Sequence, residues 1–236
     1  MLCPASAHAQ GGVPLWTNSF GDGSFGDGGC SCAMRLAADS SGNVIVTACC
    51  GTVKYSAAGA PLWTNLFGGT CVAVDKSDNV FVAAGVRNAQ DDLDYVTIKF
   101  SKAGVPLWTN RYDEPAGFID FVVAIAVDGA GNVLVTGNSR SRAGGVVRDH
   151  LTIKYSNSGV PVWTNRYNEL GGFNEVHGIA VDSSGNAFVT GYSGGDYTDA
   201  DYATVAYSSG GDLLWSQSVR RAGELSRSYR GHCGRS

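Results

Sequence analysis

The heptapeptide "GVPLWTN" fills residues 12–18 and returns letter for letter at residues 104–110. Near copies follow the same wording: "GAPLWTN" at 59–65, "GVPVWTN" at 159–165 and the looser "GDLLWSQ" at 211–217. All five tryptophans lie in these copies, spaced 47, 45, 55 and 52 residues apart. A period near 50 is the signature of a chain assembled from one repeated supersecondary unit.

Working outward from each tryptophan recovers the rest of the unit. Upstream of the second to fifth copies stands a turn motif: "ADSSGNVIVTA" from Ala38, "VDKSDNVFVAAG" from Val74, "VDGAGNVLVTG" from Val127 and "VDSSGNAFVTG" from Val181. Aspartate, two small or polar residues and Gly-Asn or Asp-Asn between β-branched runs are hairpin chemistry. A third segment follows, "TVKYS", "YVTIKFS", "LTIKYS" or "YATVAYS". In it Val96, Ile98 and Phe100 alternate with Tyr95, Thr97 and Lys99, the period of two expected of a half-buried strand. A short S-x-x-G turn leads into the tryptophan strand, whose proline suits an outer edge where a missing N–H breaks no ladder bond.

Four antiparallel strands per fifty residues cannot bury both faces of their own sheet. Radial stacking of such sheets as the blades of a β-propeller solves this, because each blade covers its neighbour. Flat sandwiches and β-helices are the competing all-β arrangements, and two tight hairpins per unit fit them less well. Glycine supports an all-β reading, since 33 of 236 residues disfavours helices.

The expected blades run over about 33–67, 71–112, 121–167 and 176–217, within a repeat region 12–218. The copy at 12–18 is then a lone fourth strand without its three partners. Four full blades plus one strand imply an open arc of a larger propeller or an unusual four-bladed closure. Residues 1–11, "MLCPASAHAQG", end in small residues like the tail of a secretory leader, and an extracytoplasmic location (secreted, periplasmic or cell surface) is the expectation. Residues 219–236, "VRRAGELSRSYRGHCGRS", hold five of the 17 basic residues and read as a disordered Arg-rich tail or as a reading-frame scar.

The motifs "IAVDSSGNAFVTGYS" (179–193) and "DYVTIKFSKAGVPLWTNRY" (94–112) resemble the bacterial SBBP repeats of seven-bladed β-propeller proteins, with partial copies from Val13 to Gln217. The resemblance implies the propeller fold and a scaffold shared by exported and surface proteins of many roles. It implies no particular ligand.

Formal charge is −4, and without the tail the body carries −8, which excludes the clustered Lys and Arg of a nucleic-acid binder. No apolar run approaches the roughly 18 residues of a membrane-spanning helix. Links between strands one and two and between three and four are tight. The others are long and dissimilar, such as "GVRNAQDDLD", "GNSRSRAGGVVRD" and "GYSGGDYTDAD". In an up-and-down blade alternate links share a face, so the variable ones gather on one side, where binding usually lives.

Of 21 acidic residues, 14 fall in these segments: Asp22, Asp27, Asp91, Asp92, Asp94, Asp113, Glu114, Asp120, Asp149, Glu169, Glu175, Asp196, Asp199 and Asp201. Such a face is expected to keep the protein solvated, to take a protein or carbohydrate ligand, or to hold Ca²⁺, with Asp22, Asp27, Asp91, Asp92, Asp94, Asp196, Asp199 and Asp201 as candidate ligands. Asp39, Asp75, Asp128 and Asp182 read as turn formers instead. Cys30, Cys32, Cys49, Cys50 and Cys71 crowd around the first blade; disulfides, free buried thiols and a thiolate metal site are the alternatives. The catalytic candidates are thin. His177 with Glu175, Arg111 and Asp120 would serve a lyase or hydrolase at the mouth of the central channel, while HExxH and P-loop motifs are absent from the sequence. A binding or structural scaffold without its own chemistry is the favoured function, against a propeller enzyme or a truncated product without a role of its own.

Overall fold

The aspartate turns close as tight hairpins in all four units of the computed structural model, which describes residues 35–89, 92–113, 120–140, 148–168, 173–194 and 201–219. Asp39 shows the mechanism: Oδ1 accepts the Ser41 and Asn43 N–H groups, both at 2.9 Å, and Oδ2 accepts Asn43 Nδ2 at 2.8 Å. Asp75, Asp128 and Asp182 repeat these bonds on their own Asn79, Asn132 and Asn186. The residue before each asparagine is left-handed. It is glycine in three blades, but in the second it is Asp78, at φ 62°.

Four antiparallel four-stranded sheets result. Blade 1 comprises β1 (Arg35–Ala38), β2 (Val44–Ala48), β3 (Gly51–Tyr55) and β4 (Pro61–Asn65). In blade 2 these are β5 (Cys71–Val74), β6 (Val80–Arg87), β7 (Leu93–Phe100) and β8 (Pro106–Tyr112). Blade 3 follows with β9 (Asp120–Val127), β10 (Val133–Arg140), β11 (Arg148–Tyr155) and β12 (Pro161–Tyr167). The last holds β13 (Phe173–Val181), β14 (Ala187–Gly194), β15 (Asp201–Tyr207) and β16 (Leu213–Val219). Strands pair in chain order within each blade, and the inner strands β1, β5, β9 and β13 contact one another in sequence. Among the described residues no pairing joins blade 4 back to blade 1, so the four described blades form an open arc. The expected strand at 12–18 and the segments 1–11 and 220–236 lie outside the described residues.

Prolines 61, 106 and 161 begin the outer strands. The register slips beside each of them: Lys54 opposes Trp63 while Tyr55 opposes Pro61, leaving Leu62 as a bulge residue turned to solvent. The same slip recurs in blades 2, 3 and 4.

Burial corrects the expectation of half-buried third strands. Tyr95, Thr97 and Lys99 are as buried as Val96 and Phe100, because a neighbouring blade lies against each face. The lysine is the joint. Lys54, Lys99 and Lys154, each no more than 4% exposed, pair with the turn aspartates of their own blades, Asp39 at 2.7 Å, Asp75 at 3.5 Å and Asp128 at 3.0 Å. Each also donates to a carbonyl in the S-x-x-G turn of the next blade: Lys102 O, Asn157 O and Ser209 O. The same three carbonyls accept the indole N–H of Trp63, Trp108 and Trp163 at 3.0–3.2 Å.

The glycine closing that turn is held at positive φ and lies flat on the indole. A Cβ on Gly104 would come within 2.7 Å of Trp63, and one on Gly159 within 2.8 Å of Trp108. Blade 4 departs from this pattern: Ala206 stands in the lysine position, Gln217 in that of Asn110 and Asn165, and Trp215 is 42% exposed.

Candidate functional site

Strands run further into the variable segments than their motifs suggest. Gly85, Val86 and Arg87 still pair with Tyr95, Asp94 and Leu93, so that link shortens to residues 88–92. Asp94, Asp120, Asp149, Glu175 and Asp201, expected in loops, therefore stand in strands, and the first three are buried. Their carboxylates act as struts. Asp94 Oδ2 accepts Arg111 Nε at 2.5 Å, and its Oδ1 accepts Asn88 Nδ2 at 3.1 Å. Asp149 takes Arg166 Nη1 at 3.2 Å and Asn168 Nδ2 at 2.5 Å, while Arg166 Nη2 donates to Ser139 at 2.9 Å.

These struts bear on the calcium candidates. Asp94 is engaged on both oxygens, and among the described residues no three His, Cys, Asp or Glu groups gather as a metal site. Asp22, Asp27, Asp91, Asp196 and Asp199 lie outside the described residues. Asp92 is half-buried in its short loop, and Asp201 opens β15.

The proposed catalytic set is divided among three blades. Arg111 braces Asp94 from the outer strand of blade 2, and Asp120 begins the inner strand of blade 3. Beside Asp120, burial first and then that carboxylate's charge push the Tyr95 hydroxyl well above its usual pKa. Tyr95 stays a neutral donor, to Phe121 O at 3.2 Å. Glu175 and His177 share β13, where the register slips between Val176 and Gly178 and leaves His177 as the bulge residue. Gly191 opposite permits this, because a Cβ there would collide with the Glu175 carbonyl. His177 is exposed, and its ring meets Tyr192 edge-on at 4.8 Å. Tyr192 in turn meets Tyr202 at 5.3 Å with the rings tilted, and Tyr202 is 54% exposed. An aromatic row thus crosses the free face of blade 4 from its inner strand to its third.

Sequence reasoning passed over His150, which is buried between blades 3 and 4 with Nε2 at 3.2 Å from the Tyr192 carbonyl. Burial, aided by the nearby His177, pulls its pKa down to about 4, although the backbone bond opposes this. A folded-state value below the unfolded one means stability that is complete above about pH 6.5 and is lost as pH falls through about 4. Replacing His150 with Phe should flatten the pH dependence of unfolding free energy between those limits; an unchanged slope in urea titrations would refute this. His150 lies in β11, and which blade covers it is not written in the neighbouring sequence.

Cysteine chemistry is mixed. Cys49 is disulfide-bonded, with its partner outside the described residues, where Cys30 and Cys32 also lie. Cys50 and Cys71 are free thiols, contrary to their candidacy as disulfide partners. The reason at Cys71 is its position between blades, where Sγ donates to Val123 O at 2.9 Å and burial pushes its pKa up to about 11. Cys50 is exposed.

The fold and these junctions define a β-propeller repeat protein. Residues 175–198, a range that takes in most of β13 and all of β14, match the family model of the SBBP β-propeller repeat. Among solved structures, a protein of unknown function from Dyadobacter fermentans superimposes with a TM-score of 0.51 at 10% identity, covering 79% of this chain and 68% of that one. A protein of unknown function from Bacteroides caccae gives 0.36 at 14% identity over 80% and 81% of the two chains. A gluconolactonase from Xanthomonas campestris gives 0.44 at 12% identity over 80% and 62%. No curated protein sequence matches the chain.

Proposed function

We propose that this chain is an extracytoplasmic β-propeller scaffold that binds a carbohydrate at the variable-loop end of blade 4 and performs no chemistry on it. The aromatic row His177, Tyr192 and Tyr202 carries this reading. Rings with an apolar body and a polar tip suit a ligand that is itself part apolar face and part hydroxyl. Thr190 and Thr204 lie beside the row on the same strands. The buried carboxylates of blades 2 and 3 support binding over catalysis, since Asp94 with Arg111 and Asp149 with Arg166 brace the frame.

The test is calorimetric titration with a panel of soluble bacterial polysaccharides, each incubated with the protein and checked for shortened products. Saturable binding without product is expected, with affinity falling at least about tenfold in Tyr202→Ala, the scale of one lost aromatic anchor. Turnover of any member would overturn the scaffold reading. Binding of a protein ligand in place of every polysaccharide would overturn the carbohydrate assignment.

A further inference from the structure

On the opposite face, that of the tight turns, a cavity of about 370 Å³ opens between blades 3 and 4. Asp128, Gly129, Lys154, Ser184, Gly185 and Ser209 are in its wall. The junction between blades 1 and 2 shows what belongs in such a place. There Asp78 of the blade 2 turn reaches back to the blade 1 turn, its Oδ1 accepting Ser40 N at 2.8 Å and its Oδ2 accepting Ser40 Oγ at 2.9 Å.

Aligning the turns "DSSGN", "DKSDN", "DGAGN" and "DSSGN" makes Gly129 the counterpart of Ser40 and Gly185 the counterpart of Asp78. Both side chains of the bridge are therefore missing between blades 3 and 4, while the backbone that held it is kept. Gly185, at φ 80°, has nearly the backbone angle of Asp78 at φ 62°. The two glycines that replace the bridge both line the cavity.

Its charged groups are one acid and one lysine, paired with each other. Asp128, the acid in the wall, is fully occupied: Oδ1 accepts Ala130 N and Asn132 N, and Oδ2 accepts Asn132 Nδ2 and Lys154 Nζ. Lys154 spends two of its three donors, on Asp128 at 3.0 Å and on Ser209 O at 3.1 Å. A Cβ on Gly185 would stand 3.9 Å from Lys154 Nζ and 3.6 Å from Asp128 Oδ2, so a carboxylate placed like that of Asp78 has both members of the pair near it. We propose that this cavity is a binding site for a small free carboxylate, which takes the place of the Asp78 side chain and accepts the Gly129 N–H and the third donor of Lys154.

The experiment follows the Gly129 amide in ¹H–¹⁵N spectra of the whole chain titrated with sodium acetate or sodium glucuronate, with sodium chloride at matched ionic strength as control. A saturable Gly129 shift with either carboxylate and none with chloride is expected. Gly185→Asp rebuilds the missing bridge, and it should raise the melting temperature and abolish the shift. Ser184→Leu, which narrows the cavity from an exposed turn, should weaken binding at least tenfold and covers the case in which Gly185→Asp does not fold. A shift that never saturates, one that chloride reproduces, or one that survives in the folded variants would overturn the proposal.

Discussion

Unfolding free energy should drop by about 3 kcal/mol when Lys54 is replaced by Met, the scale of breaking a buried ion pair by removing one partner. The lysine and Asp39 are 3% and 2% exposed at 2.7 Å, so the substitution strands a carboxylate between blades. Burial alone would raise the Asp39 pKa, yet the Lys54 and Asn43 bonds outweigh it and bring it down to about 2 from 3.8. A depressed carboxylate contributes stability that is present above the unfolded value and lost as pH falls through the folded one. The native protein should thus lose this part between about pH 4 and pH 2, and the variant should lose less of it. Adding Asp39→Asn to Lys54→Met should recover a large part of the loss, because the stranded charge goes with it. Urea unfolding of the single and double variants measures this, and a loss below about 1 kcal/mol in the single variant would place the pair among surface contacts.

Trp108→Ala should cost about 3–5 kcal/mol, as expected for emptying a large aromatic site. Its indole packs on Phe81 and Tyr155 with ring centroids 5.9 and 6.1 Å away, and bonds Asn157 O at 3.0 Å. Trp215→Ala, the same residue of the same repeat, should stay within about 1 kcal/mol, because its ring meets Phe188 at 6.0 Å and is 42% exposed, with no blade over it among the described residues. Equal effects in thermal unfolding would mean that the free face of blade 4 is covered in solution.

Blade number, strand order and turn chemistry were legible because they are local. Each aspartate turn is written within five residues, and the tryptophan marks the outer strand wherever it occurs. Interior contacts were not legible, because alternation reports that two faces differ and not what each face meets. Lys99 and Thr97 read as a wetted face, although the next blade covers them. Asp94 and Asp149 looked like loop acids because their arginines lie 17 residues downstream on another strand. His177 was singled out in the sequence with Glu175 as an acid/base candidate, not as part of an aromatic row. The tyrosines that give His177 its setting were passed over as ordinary strand residues.

The joint between blades runs in one direction. Tryptophan, lysine and asparagine reach forward, and the S-x-x-G turn receives them, as Asn110 and Asn165 show on Gly159 O and Gly211 O. A one-way coupling repeated between separate molecules makes a heterologous contact, the kind that grows into open filaments. Blade 4 keeps only the tryptophan of those three groups, with Ala206 and Gln217 in the other two places. A second copy meeting that free face would therefore find the tryptophan donor of the latch but neither its lysine nor its asparagine.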